Sequence, residues 1–145
     1  MSATHFSGPV ESTAGFRPGT ASVENITGAK TLVAADSGKT FFLNAAGGAA
    51  VTLPDVTIAG LRFEIMVGAL FASTNWVVSS AEGDNIDGSV EVAGAVVVAA
   101  AEDQINFVAS AESLGDRIFL ISDGVQWFVS GTAAASGGIT VTDPS

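Results

Sequence analysis

The chain contains no cysteine and no tyrosine, a single histidine, and only five Lys and Arg residues against fifteen Asp and Glu. Each shortage removes a class of chemistry. Without cysteine there is no disulfide, no thiolate nucleophile and no Cys-ligated zinc. The lone histidine, His5, has no second histidine and no Ser–Asp constellation near it, so the positioned partner that general-base catalysis needs is missing. The basic residues Arg17, Lys30, Lys39, Arg62 and Arg117 are scattered, whereas phosphate backbones are met by clustered positive charge. Nucleic acid is therefore not an expected partner. The longest apolar run, Ala93 to Ala101, is too short to cross a bilayer as a helix. The opening MSATHFSGPVE has neither a basic region nor an apolar centre, so no signal peptide is expected.

What remains is small and apolar. Hydrophobic residues make up 48% of 145, charged residues only 14%, and there are 17 glycines. That length is enough for one domain with a real core. The apolar excess is expected to be buried between subunits, with the net charge of −10 keeping the assembly soluble.

The most legible stretch is Asp116 to Gly131, DRIFLISDGVQWFVSG. Two β-branched and aromatic runs flank Asp123-Gly124, a pair suited to a two-residue turn with positive φ at both positions. Such a turn pairs Leu120 with Trp127, Ile118 with Val129, Phe119 with Phe128 and Ile121 with Gln126. Side chains alternate across a strand, so Ile118, Leu120, Trp127 and Val129 form a core face. Phe119, Ile121 and Phe128 form the opposite face, with Arg117, Gln126 and Ser130 beside them. That second face is too apolar for water and is expected to be a subunit interface.

The rest of the chain reads as short strands at about ten-residue spacing, the pattern of an all-β, antiparallel sandwich or barrel-like module. Strands are expected at 31–33, 40–44, 50–53, 60–67, 76–80, 89–92, 96–99 and 104–109. Leu61, Phe63, Ile65 and Val67 alternate with Arg62, Glu64 and Met66 and point inward. Ala95 to Gln104, AVVVAAAEDQ, would suit helix or strand; its valines and Gly94 favour strand. Residues 1–28 hold Gly and Pro without sustained periodicity and read as an extended arm, with isolated anchors at Phe6, Val10 and Phe16. The β domain spans 29–131. Residues 132–145 form a small, polar tail in which Ile139 to Thr142 suits an added edge strand.

Candidate chemical sites fall away one by one. Ser37-Gly38-Lys39-Thr40 ends like a phosphate-binding loop, but Val33 stands where the motif needs glycine, and a strand follows where it needs a helix. The loop Glu82, Asp84, Asn85 and Asp87 is oxygen-rich but lacks the spacing of a helix-loop-helix calcium site; Gly83 and Gly88 explain it as a solvated turn. Glu102-Asp103 are adjacent and would point to opposite faces of a strand, so they make a poor acid–base pair. No catalytic residue, no metal ligand and no cofactor is expected.

The series Leu32, Asp36-Ser37-Gly38-Lys39-Thr40, Phe42-Leu43, Val51-Thr52-Leu53-Pro54, Ala59-Gly60-Leu61-Arg62-Phe63, Asp116-Arg117-Ile118 and Ser122-Asp123-Gly124-Val125-Gln126-Trp127 resembles a β-rich module of tailed-bacteriophage structural proteins. With the opening Ala3-Thr4-His5-Phe6-Ser7-Gly8-Pro9-Val10, the chain resembles most a head decoration, or capsid-cementing, protein. The resemblance covers about residues 30 to 130 and, more loosely, the arm. It implies a homotrimer on the outer surface of the virion that binds the major capsid protein of the expanded head. It also implies that arm residues such as His5, Phe6, Pro9, Val10, Phe16 and Arg17 make the capsid contact. The best-known members of that family carry helix in a mixed fold, and none is expected here. A receptor-binding or fibre module, also trimeric, is the rival expectation.

Overall fold

The computed structural model describes residues 7–8, 22–83 and 85–144. Along these the chain forms β1 (Val23–Ile26), β2 (Lys30–Thr31), β3 (Thr40–Leu43), β4 (Ala50–Thr52), β5 (Arg62–Val67) and β6 (Trp76–Ser79). It continues with β7 (Ile86–Val92), β8 (Ala95–Glu102), β9 (Gln104–Phe107), β10 (Arg117–Ser122), β11 (Trp127–Ala133) and β12 (Ile139–Thr142). A 3-10 turn at Ala34–Asp36 precedes β3.

The strands build a sandwich. The larger sheet runs β1-β3-β5-β10-β11-β7-β8 and the smaller β12-β9-β6-β4-β2. The expected all-β sandwich is what the chain forms, but its sheets are mixed. β1, β3 and β5 are parallel neighbours in one sheet, and β2, β4 and β6 are parallel neighbours in the other. The first six strands therefore alternate between layers, and the chain winds as a coil around the core. β10 pairs antiparallel with β5 and ends that winding in the larger sheet; β9 does the same beside β6 in the smaller. Connections without an α-helix permit this route because each crossover returns through the opposite sheet.

The core lies between the layers. Phe41, Leu43, Phe63, Ile65, Ile118, Leu120 and Trp127 come from the larger sheet; Val51, Trp76, Val78, Ile105 and Phe107 come from the smaller, and each is almost wholly buried. The rings of Phe41 and Phe63 lie 6.4 Å apart, and those of Phe63 and Trp127 lie 5.8 Å apart, both tilted, an arrangement aromatic quadrupoles favour. Leu61 and Val129 are buried too, so the two inward stripes named from alternation face the core. One buried acid ties the ends of the hairpin together: Asp116 accepts from the Ser113 N–H at 2.8 Å and the Ala134 N–H at 2.9 Å.

Two boundaries differ from expectation. The extended arm does not reach residue 28, because Val23–Ile26 already pairs with β3 and Ile26 is buried. Four residues of edge strand show too short a pattern for periodicity to reveal them. The tail from 132 is not loose throughout: Thr132 and Ala133 complete β11, and Ile139–Thr142 pairs antiparallel with β9.

Candidate functional site

The hairpin differs from expectation in register. Asp123-Gly124 is not a two-residue turn; the loop is the four residues Asp123 to Gln126, closed by the Ser122–Trp127 pair. The cause is the Asp123 side chain. Its Oδ1 accepts from the Val125 and Gln126 N–H groups, both at 2.8 Å, and its own N–H donates to the Gln126 carbonyl. An Asp that bonds its own following backbone makes the wider turn. Ser122 holds the other end, since its hydroxyl donates to the Ile58 carbonyl and accepts from the Leu61 N–H. Consequently Leu120 faces Val129, Ile118 faces Gly131, Phe119 faces Ser130 and Ile121 faces Phe128. A slip of two residues leaves every side chain on its original face.

The outward face of the larger sheet is thus a grid. Along one row stand Val23, Thr40, Glu64, Phe119, Ser130 and Ser89; along the next stand Arg62, Ile121, Phe128 and Asp87. Phe119 is 38% exposed and Phe128 40%, with Ile121 half-buried between Arg62 and Phe128. Three apolar side chains are therefore presented at the centre of the face rather than at its margin. The polar neighbours are held in place. Glu64 accepts from the Thr40 hydroxyl at 3.0 Å, and Asp87 accepts from the Gln126 amide at 2.7 Å and the Ala101 N–H at 3.2 Å. Among the described residues neither Arg62 nor Arg117 makes an ion pair. A shallow cleft of about 200 Å³ borders the patch, between Lys39, Thr40, Arg62, Glu64 and Phe119.

Beyond that cleft the charges lock structure. Lys39 Nζ bridges Asp36 at 2.6 Å and Glu24 at 3.3 Å, and Glu24 also pairs with Lys30. Burial opposes the charge on Asp36, but hydrogen bonds from Lys39 and the Val33 N–H outweigh it and hold the carboxyl below its ordinary value. Lys30 and, less strongly, Lys39 hold Glu24 below its own. The Asp36 carboxylate in turn raises Lys39. The Ser37–Thr40 segment is the turn that this cluster fastens, and it leads directly into β3.

The other candidates sort by what their oxygens already do. In the acidic loop Glu82 accepts from the Val56 N–H, the Ser80 hydroxyl and the Asn85 amide. Asp84 lies outside the described residues. Among the described residues no three His, Cys, Asp or Glu side chains gather around a common point. A second cleft, of about 320 Å³, lies between Ala46, Leu70, Phe71, Ala72, Ser110 and Glu112. Glu112 accepts from the Phe71 N–H at 2.7 Å, and among the described residues no second acid or histidine lines the cleft, whereas glycoside hydrolysis uses two carboxyls flanking the scissile bond. The arm residues His5, Phe6, Pro9, Val10, Phe16 and Arg17 lie outside the described residues.

Sequence reasoning missed the other long hairpin. β7 and β8 are joined by the two residues Ala93 and Gly94, with φ of 49° and 81°, and Val92 pairs with Ala95. This is the tight turn expected at Asp123-Gly124. The signal was Gly94 between two alternating runs, hidden because alanine rather than Asn or Asp fills the first position. Among family models, curated proteins and solved structures, no match to this chain was found.

Proposed function

We propose that the chain is a structural protein of a tailed-bacteriophage head, which binds the outer surface of the expanded capsid and cements neighbouring capsid subunits. It acts as a homotrimer, with the major capsid protein as its partner and the virion surface as its place. The observation that carries this reading is the central position of Phe119, Ile121 and Phe128 on the outward face of the larger sheet. Contiguous exposed apolar residues rimmed by polar ones are the mark of an association surface. The turn and core series that resembles decoration proteins supports the specific assignment. Its members do structural work here: Leu32, Leu53 and Phe63 are buried, and Asp36, Ser122 and Asp123 fasten turns.

A fibre or receptor-binding module is the second reading, and one observation favours it. The alternation of β1 to β6 between two parallel stacks is a coil, and a coil can be lengthened by repetition. Against it, β10 and β9 end both stacks within this domain.

The test is cosedimentation of the purified chain with expanded heads, unexpanded heads and host cells. Decoration predicts saturable binding to expanded heads alone. Binding to cells with none to heads would assign the fibre role instead.

A further inference from the structure

The two ends of the sandwich are guarded differently. At one end the outer strands β1 and β2 are four and two residues long and are dressed by the Glu24–Lys30–Lys39–Asp36 ion pairs. Short, charged edges are how sheets avoid pairing with other chains. At the other end the larger sheet finishes in β8, eight residues long, in which Ala95 to Ala101 bear no charge. Val96 is 70% exposed and Val98 63%.

The β7–β8 hairpin settles which backbone groups are open. A two-residue turn makes its closing pair, Val92 and Ala95, a hydrogen-bonded pair, and such pairs then alternate. Val97 opposite Val90 and Ala99 opposite Gly88 follow in phase. The N–H and C=O groups of Val96 and Val98 therefore point away from β7, and Ala100 follows them just before a bulge at which β8 has one residue more than β7 and Ala101 takes a φ of 57°. Among the described residues no strand takes them up, because β8 ends its sheet.

We infer that β8 pairs antiparallel with β8 of a second copy of this chain, across a twofold axis at Val98, so that one continuous sheet spans both molecules. Two observations select this occupant. Two molecules of net charge −10 repel except where surface is neutral, and β8 is the long neutral edge. In the resulting register Val98 meets Val98 of the other copy as a hydrogen-bonded pair, and Val96 meets Ala100. The remaining candidate within the chain, residues 1–21, carries Gly8, Pro9, Gly15, Pro18 and Gly19, and strands exclude proline from donating positions and are weakened by glycine. The inference is independent of the capsid reading, since it rests on β8 alone.

Cysteine substitution tests the register directly, because the chain has no cysteine of its own. Facing residues of a hydrogen-bonded antiparallel pair sit about 5.5 Å apart at Cα, within the range of roughly 4.4–6.8 Å that a disulfide spans. Val98→Cys is expected to give a covalent dimer under mild oxidation. Val96→Cys is expected to give little, since the two copies of residue 96 lie about 13 Å apart along the strands. The double variant Val96→Cys/Ala100→Cys restores the cross-link. Val98→Lys puts a charge on the edge and is expected to halve the particle mass by light scattering with unchanged far-ultraviolet circular dichroism; Val96→Lys serves if that variant fails to fold. Wild-type mass in a folded Lys variant, or equal cross-linking of Val98→Cys and Val96→Cys, overturns the inference. So does slow amide exchange at Val96, Val98 and Ala100 that survives dilution to monomer, which would give the edge to the chain's own residues 1–21.

Discussion

Ile121 stands directly opposite Phe128 across the β10–β11 hairpin, two residues out of the register that a tight turn at Asp123-Gly124 would impose. The same pair lies on the outward face, while Leu120 and Trp127, their chain neighbours, are completely buried. One hairpin thus serves two surfaces, and neighbouring residues report on different ones.

Trp127→Ala should damage the fold. The indole fills the space beside Phe63, and removing a buried aromatic costs about 3–5 kcal/mol, much of a small domain's stability. Trp127→Phe should cost much less, because among the described residues the buried indole N–H has no hydrogen-bond partner to lose. Urea midpoints of the two variants check the order; equal losses would contradict it.

Gly88→Ala should be among the most damaging single changes. Gly88 has a φ of 129°, and a Cβ there would sit 2.2 Å from the Val129 carbonyl oxygen, where β7 and β11 run side by side. Neither backbone can yield without breaking the parallel ladder. A loss above about 3 kcal/mol is expected by thermal unfolding. Gly94→Asn, in the open β7–β8 turn, should be tolerated.

The strand pattern was readable because most strands are buried on one face only and alternate. Phe41 and Leu43 against Phe42, and the 61–67 stripe, show this plainly. The pairing was not readable. Parallel stacking of β1, β3 and β5 depends on strands 17 to 24 residues apart, and nothing local records which strand lies beside which. Asp123-Gly124 misled because the pair is a good tight-turn signal, and the Asp123 side chain found a wider solution. The face of Phe119, Ile121 and Phe128 was legible despite the register slip, since a shift by two residues changes neighbours but not sides.

Acid should destabilise the protein through its turn carboxylates. The ordinary values are 4.5 for Glu24 and 3.8 for Asp36 and Asp123, and all three are held lower when folded. For Asp123 the causes are the N–H groups of Gln126 and then Val125. A carboxyl with a lowered folded value contributes stability fully above its ordinary value and loses it as pH falls through the folded one. Lys39 has the opposite sign: its contribution is full below 10.5 and is lost as pH rises beyond that, through its raised value. Urea midpoints should therefore fall below pH 4.5, and Asp36→Asn should flatten that limb. An unaltered acid limb in the variant would contradict the assignment.

If residues 1–21 carry capsid affinity, deleting them should leave circular dichroism and particle mass nearly unchanged while binding to expanded heads weakens. The deletion stops short of Val23, where β1 begins, so the sheet stays whole. Full-strength head binding by the shortened chain would remove the arm from the account.

The proposed function requires the face around Phe128 to be buried between subunits. Phe128 is already more than half covered within the chain, so burying the rest contributes about 1 kcal/mol of the roughly 1.5–3 kcal/mol of a whole aromatic, and a trimer repeats the contact threefold. Phe128→Asp places an unpaired charge there without touching the core. Light scattering on that variant is the most direct measurement. A folded protein of reduced mass is expected; a folded variant that keeps the wild-type mass would show that this face is not a subunit interface.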